Sequence, residues 1–153
     1  MTVSRIAGKD ITDAQARDLV GLVRQLTAAE RQYDAASGLR VRSPQMRNFP
    51  RWLRSLDAVY VGRDDAGRPV GLLTNTKSRA YENANTLGSF VVDRRHRGQG
   101  IGRELLLQAI RDNVAARRKS TLWVSTGNEG GLRLYDRVGF RPASSLMVLD
   151  NGG

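Results

Sequence analysis

Cysteine is absent from the 153 residues, and histidine occurs once, at His96. These shortages exclude disulfides, thiolate nucleophiles and cysteine metal sites, and leave no histidine cluster or serine–histidine–carboxylate triad to assemble. No stretch approaches the roughly 18 apolar residues of a membrane-crossing helix. Met1–Arg5 has no apolar secretory core, so a cytoplasmic location is expected. Acidic residues are also scarce: 15 Asp and Glu stand against 25 Lys and Arg, giving a net charge of +10 and a pI of about 11.1. Such a balance favours anionic partners through long-range attraction. No nucleic-acid recognition motif accompanies the arginines, so binding to nucleic acid is expected only as nonspecific attraction. With 40% hydrophobic residues the chain can bury a proper core, and it reads as one domain over residues 1–153.

What the sequence does have is a glycine-rich turn, Val91-Val92-Asp93-Arg94-Arg95-His96-Arg97-Gly98-Gln99-Gly100-Ile101-Gly102. It follows the apolar run Ser89–Val92 and precedes a helical run beginning at Ile101, so a strand feeds a helix through it. Glycine permits a sharp turn and keeps side chains away from the peptide N–H groups. The helix adds unpaired N–H donors and the positive end of its dipole, and Arg97 adds a full charge. Together these features suit a pyrophosphate. A Walker loop would end in Gly-Lys-Ser/Thr, which is missing, and the spacing of Gly98, Gly100 and Gly102 fails the dinucleotide pattern G-x-G-x-x-G.

The spacing Arg97-x-x-Gly100-x-Gly102 resembles the acetyl-CoA pyrophosphate loop of the GCN5-related N-acetyltransferase (GNAT) family. A second segment, Asn128-Glu129-Gly130-Gly131-Leu132-Arg133-Leu134-Tyr135-Asp136-Arg137-Val138-Gly139-Phe140, resembles that family's Asn followed by a short helix ending in Tyr-x-x-x-Gly-Phe. The two segments cover roughly the C-terminal half; the N-terminal half fits by layout. The resemblance implies an acyl-CoA N-acyltransferase fold of mixed α/β class, with a mostly antiparallel central sheet flanked by helices. It implies acetyl-CoA as cosubstrate, no metal, and acetyl transfer to a primary amine by direct attack. Cofactor contacts are implied for Val91, Val92, Arg97, Gly98, Gln99, Gly100, Ile101, Gly102, Arg103, Asn128 and Tyr135. In such a site the Val92 N–H polarises the thioester carbonyl and Tyr135 protonates the leaving thiolate. The alternatives are an aromatic packing role for Tyr135 and a helix-capping role for Asn128.

The general base departs from the family pattern. Many relatives carry Glu early in the strand before the loop, where this chain reads Thr86-Leu87-Gly88-Ser89. Glu82 is the nearest acidic candidate, with a water chain as its competitor. Asp93 is read as a stabiliser of the turn, and His96 sits among arginines that oppose its protonation. Glu30, Asp34, Asp57 and Glu82 could attract a cationic acceptor if the fold gathers them. The acceptor, a small molecule or a protein, is not specified, and a monomer or homodimer is expected. The missing strand glutamate also leaves room for a nonenzymatic acyl-CoA-binding or protein-interaction module on the same fold.

The elements expected along the chain are a strand at Val3–Ala7, a helix starting at the capping-box sequence Thr12-Asp13-Ala14-Gln15, and a break at Ser37-Gly38. A loop over Leu39–Ser43 leads to an interrupted helix over Pro44–Leu56. A hairpin follows, with strands Ala58–Gly62 and Pro69–Asn75 joined by the turn Asp64–Gly67. Lys77–Asn85 is expected to loop out before the strand Leu87–Val92. The helix after the glycine turn is expected to bury Leu105, Leu106, Ala109, Ile110 and Val114. A strand over Thr121–Thr126, a helix over Gly130–Val138, and a final strand or strands at Phe140 and Leu146–Leu149 complete the order.

Overall fold

The computed structural model describes residues 1–39 and 48–150. Most of the expected loop to Ser43 and the expected helix start at Pro44 lie outside the described residues. The elements in order are β1 (Thr2–Ala7), α1 (Asp13–Asp34), α2 (Phe49–Arg54), β2 (Ala58–Arg63), β3 (Pro69–Lys77), β4 (Ala84–Val92), α3 (Ile101–Ala115), β5 (Lys119–Leu122) and α4 (Glu129–Val138). The strands form one five-stranded sheet in chain order. β1 to β4 are a meander of antiparallel pairs, whereas β4 and β5 run parallel. A parallel pair needs a crossover, and α3 supplies it.

Local chemistry sets the helix ends. Thr12 accepts from the Gln15 N–H while the Gln15 side chain accepts from the Thr12 N–H, completing the capping box that starts α1. Pro50 lies in the first turn of α2, where its missing N–H costs nothing.

Both faces of the sheet are covered, so its central strands bury apolar residues on both sides. Val59 and Val61 of β2 pack with Leu72, Val91 and the apolar stripe of α1, joined by Phe49 and Leu53 of α2. The alternate residues Ala58 and Tyr60 point the other way, into a core with Leu73, Leu87, Leu105, Leu106 and Tyr135. Gly71 allows α3 to lie close on that second face. A Cβ there would sit 2.8 Å from Leu105 Cδ1 and 2.9 Å from Ile101 Cγ2.

Beneath α3 lies a buried polar cluster that the apolar pattern does not announce. Asn75 Nδ2 and Asn85 Nδ2 donate to Asn113 Oδ1 at 2.8 and 2.9 Å, and Asn113 Nδ2 donates to Ser120 Oγ at 2.9 Å. Arg118 Nε completes it by donating to Asn85 Oδ1 at 2.9 Å. β3, β4, α3 and β5 are thereby tied at one point. Asn113 takes the inward position assigned to Val114, which is 67% exposed.

Other expectations need correcting. β4 begins at Ala84 rather than Leu87, because the Lys77 and Asn85 backbones pair and shorten the loop between them. The strand expected over Thr121–Thr126 ends at Leu122, since the chain then turns toward α4. The expected final strand is not formed. Residues 141–150 have no regular structure, and Leu146, Met147 and Leu149 are 75%, 87% and 84% exposed, so no sheet partner meets that apolar run. Among the described residues no helix is long and apolar enough to cross a membrane, and no group of three or more acidic or histidine side chains is placed to hold a metal.

Candidate active site

The site is a fork in the sheet. β4 runs to Val92, but its pairing with β5 stops at Leu87↔Leu122. On the opposite side β4 stays paired with β3, with a bulge between Leu72↔Val91 and Thr74↔Gly88. Ser89 sits in that bulge with φ 31°, a conformation unusual for a residue with a side chain. The bulge adds twist where the strands part.

Backbone alternation decides which groups face the opening. The Asp93 N–H donates to Val70 O at 2.8 Å, toward β3. In an antiparallel ladder successive residues turn their N–H and C=O groups to opposite sides, so those of Val92 face the side that β5 has left. Arg97 Nε donates to the Val92 carbonyl at 3.2 Å, which fits this orientation. The Val92 N–H is left directed into the fork.

At the mouth of the fork stands the glycine turn. Gly98 and Gly100 have φ 77° and 83°, and a Cβ on either would meet no protein atom within 4 Å. Gly100 caps α3 with no side chain to satisfy the first N–H groups, so those of Ile101, Gly102 and Arg103 remain available at the positive end of the helix. Gly102 is packed, and a Cβ would lie 3.2 Å from Phe90 Cζ and 3.4 Å from Val92 Cγ2. The turn is braced from behind. Asp93 accepts from Gln25 Nε2 at 2.8 Å and from the Arg95 N–H at 2.9 Å, contacts that, with His96, hold its carboxyl at about 2. His96 Nδ1 is 3.2 Å from Asp93 and its Nε2 3.9 Å from Asp64, so the lone histidine is a strut between carboxylates rather than a member of an arginine cluster.

Tyr135 on α4 closes the α3 side of the fork. Its ring lies 6.2 Å from Phe90 and 6.0 Å from Phe140, centroid to centroid. Burial first, and the neighbouring Tyr33 phenol second, push its hydroxyl up to about 12. Asn128 caps α4, accepting from the Gly131 N–H at 2.9 Å. Gly131 makes that cap possible, because a Cβ would fall 2.5 Å from Asn128 Nδ2.

Val91, Val92, Arg97–Arg103 and Tyr135 are thus gathered around one opening, with Asn128 at the start of the helix that carries Tyr135. Glu82 is not. It lies exposed on the turn before β4, and the path from Ala84 to Ser89 alone spans about 16 Å of strand. Asp57 is equally remote from the mouth, accepting from the Lys77 N–H at 2.7 Å. Of the four acids considered for attracting a cation, Glu30 and Asp34 come together, near the end of α1. Sequence reasoning singled out Glu30 only as one of those four. Its signal was a carboxylate in register with Leu19, Val23 and Leu26, which places it on the buried stripe.

Comparison with known proteins gives the architecture its relatives. A family model for the acetyltransferase (GNAT) family matches residues 23–140. No curated protein matches the chain. Among solved structures, a mutant of the BH1408 protein from Bacillus halodurans is 18% identical with a TM-score of 0.74, covering 98% of this chain and 99% of that one. An acetyltransferase from Trypanosoma brucei is 20% identical with a TM-score of 0.66, over 97% and 99% of the two chains. An aminoglycoside acetyltransferase from an uncultured soil metagenomic sample, solved with sisomicin, is 15% identical with a TM-score of 0.63, over 97% and 93%. The fold, the forked sheet and the family match agree: this chain belongs to the acetyltransferase (GNAT) family.

Proposed function

We propose that the protein transfers an acetyl group from acetyl-CoA to a primary amine by direct attack. The observation that carries this reading is the fork, where an inward Val92 N–H, the open glycine turn and Tyr135 surround one gap in the sheet. Residues 1–22 fall outside the family match yet contribute β1 and half the apolar stripe of α1, which supports one domain over 1–153.

The residues fit such a cosubstrate. The backbone of Gly98–Arg103 would hold the pyrophosphate, with Arg97 adding charge and the space above Gly98 and Gly100 leaving room. Val91, Val92 and Asn128 would line the arm that follows. The cosubstrate supplies an activated thioester. The Val92 N–H is positioned to donate to the carbonyl oxygen as charge develops on it, a contribution of about 3 kcal/mol in comparable sites. Tyr135, at about 12, stays protonated throughout the working pH range, so it can give a proton but not begin by taking one. The desolvation that weakens this acid also raises a thiolate formed beside it, which keeps donor and acceptor matched.

Calorimetry with coenzyme A, followed by mass spectrometry of an amine panel incubated with acetyl-CoA, tests the reading. Tight binding with no acetylated amine would favour the alternative of a nonenzymatic acyl-CoA-binding module, which the absence of a carboxylate in Thr86–Ser89 suggests.

A further inference from the structure

The fork opens on both faces of the sheet, and the two faces carry different chemistry. Tyr135 belongs to the core on the α3 side, whereas α1 covers the other side. The end of α1 reaches across the opening. Gln25 binds Asp93 just beyond β4, and the Tyr33 carbonyl accepts from Ser125 Oγ, just beyond β5, at 3.3 Å. The stretch between them therefore bridges the gap between the strands. Glu30 lies in that stretch, about 7.5 Å along the helix from Gln25 and about 4.5 Å from Tyr33.

Glu30 continues the stripe that buries Leu19, Val23 and Leu26, so it lies on the sheet-facing side of α1 and is half-buried there. Its Oε2 is buried without a hydrogen-bond partner, the one such side-chain atom among the described residues. The α1-facing side of β3 and β4 contributes Leu72, Thr74 and Val91, and none of them hydrogen-bonds Glu30 Oε2. The charged group that acts on it is Asp34, of the same sign, one turn further along α1. In a protein of net charge +10, this inward carboxylate has no ion-pair partner among the described residues. A buried acceptor without a donor costs stability unless a ligand supplies the donor.

We propose that Glu30 is the receiving group for the acceptor, which enters the fork from the α1 face as a primary ammonium ion and surrenders a proton to Oε2. The inference rests on the acetyl-transfer reading above and adds to it an entry face, a recognition charge and a base. The ammonium nitrogen loses two protons in all. One passes to Glu30 and then to solvent. The nitrogen–carbon bond forms as the carbon–sulfur bond breaks, and the second proton replaces the one that Tyr135 gives to the departing sulfur. Burial, reinforced by Asp34, raises the Glu30 carboxyl above its ordinary value and so brings it nearer to the range useful for a base. Among the described residues Asp34 is the titratable group that acts on it, while Tyr33 of the same helix acts on Tyr135 across the fork.

The experiment uses the whole protein saturated with coenzyme A and follows the Glu30 side-chain carbon by NMR as pH is varied, with and without n-butylammonium chloride. Binding of the cation beside the carboxylate should lower the Glu30 midpoint by about one to three pH units. With acetyl-CoA and n-butylamine, Glu30→Gln should lose about 10²–10⁴-fold in kcat/KM and keep wild-type affinity for coenzyme A. Asp34→Asn should move the acidic limb of the kcat/KM profile to lower pH, a response that a purely structural carboxylate would not give. An unmoved Glu30 midpoint, or Glu30→Gln turnover within about threefold of wild type, overturns the assignment. Loss of coenzyme A affinity in Glu30→Gln also overturns it, since that would make Glu30 a support of the fold. A wild-type protein that does not bind coenzyme A removes instead the reading on which the inference stands.

Discussion

From Ala84 to Leu87, strand β4 has partners on both sides, β3 antiparallel and β5 parallel, and its Asn85 sits in the buried cluster with Asn75 and Asn113. From Gly88 to Val92 the same strand keeps β3, acquires a bulge and a positive φ at Ser89, and has no partner where β5 has turned away. The sealed half carries a hydrogen-bonded polar cluster beside the apolar Leu87, whereas the open half has backbone groups left to spare. The contrast shows how a sheet can hold a cleft without losing a strand: it is fastened at one end so that it can part at the other.

The largest effect is expected at the mouth of the open half. Gly100→Val forces a branched side chain into φ 83° and projects it into the open space where the proposed pyrophosphate would lie. Coenzyme A binding should become undetectable by calorimetry in protein that circular dichroism shows to be folded. Gly100→Asn separates the two causes, because asparagine tolerates this backbone region; it should also impair binding, through the side chain alone. Undiminished affinity in both variants would remove the loop from the site.

Within the fork, Tyr135→Phe retains the ring contacts with Phe90 and Phe140 and removes the hydroxyl. Turnover of an accepted amine should fall by about 10²–10⁴-fold with little change in coenzyme A affinity. Wild-type kcat would reduce Tyr135 to a packing residue.

The sealed half is tested by Asn113→Leu, which strips Asn75, Asn85 and Ser120 of their shared partner. Each stranded buried group costs about 1–3 kcal/mol, so urea unfolding should show a loss of at least that size. A smaller loss would mean that the cluster does not clamp β4 to β5.

The smallest effect is expected for Glu82→Gln. Glu82 is exposed before the sealed half of β4 and far from Tyr135's end of the strand, so kcat/KM should change by less than about tenfold. A larger loss, with the acidic limb of the pH profile removed, would make Glu82 the base and displace Glu30 from that role.

Much of the open half could be read from the chain alone, because glycine spacing and the Asn–Tyr–Gly-Phe segment are local features. So could the β2–β3 hairpin, since two apolar runs separated by turn residues specify one. The sealed half could not. Asn75, Asn85 and Asn113 read as polar surface until three separate elements bring them together, and the helical stripe therefore favoured Val114 over Asn113. Glu30 escaped for a related reason. It breaks an apolar stripe that otherwise predicts core, and only the position of α1 over the fork gives the break a meaning. The tail failed differently: Leu146–Leu149 has strand-like composition, but composition cannot supply a neighbour.

The order of the strands also bears on how the molecule assembles. β1 to β4 join through near neighbours in the chain apart from the long link between β1 and β2, whereas β5 can take its place only after the whole of α3 has been laid down between β4 and itself. Non-local pairings carry the larger loop-closure cost and are made slowly. The edges of the fork therefore belong to two episodes of folding, an early hairpin and a late parallel addition. A molecule bound between them would act on a seam that closes after the hairpin, slowing its reopening and protecting β5 amides from hydrogen exchange more than those of the β2–β3 hairpin.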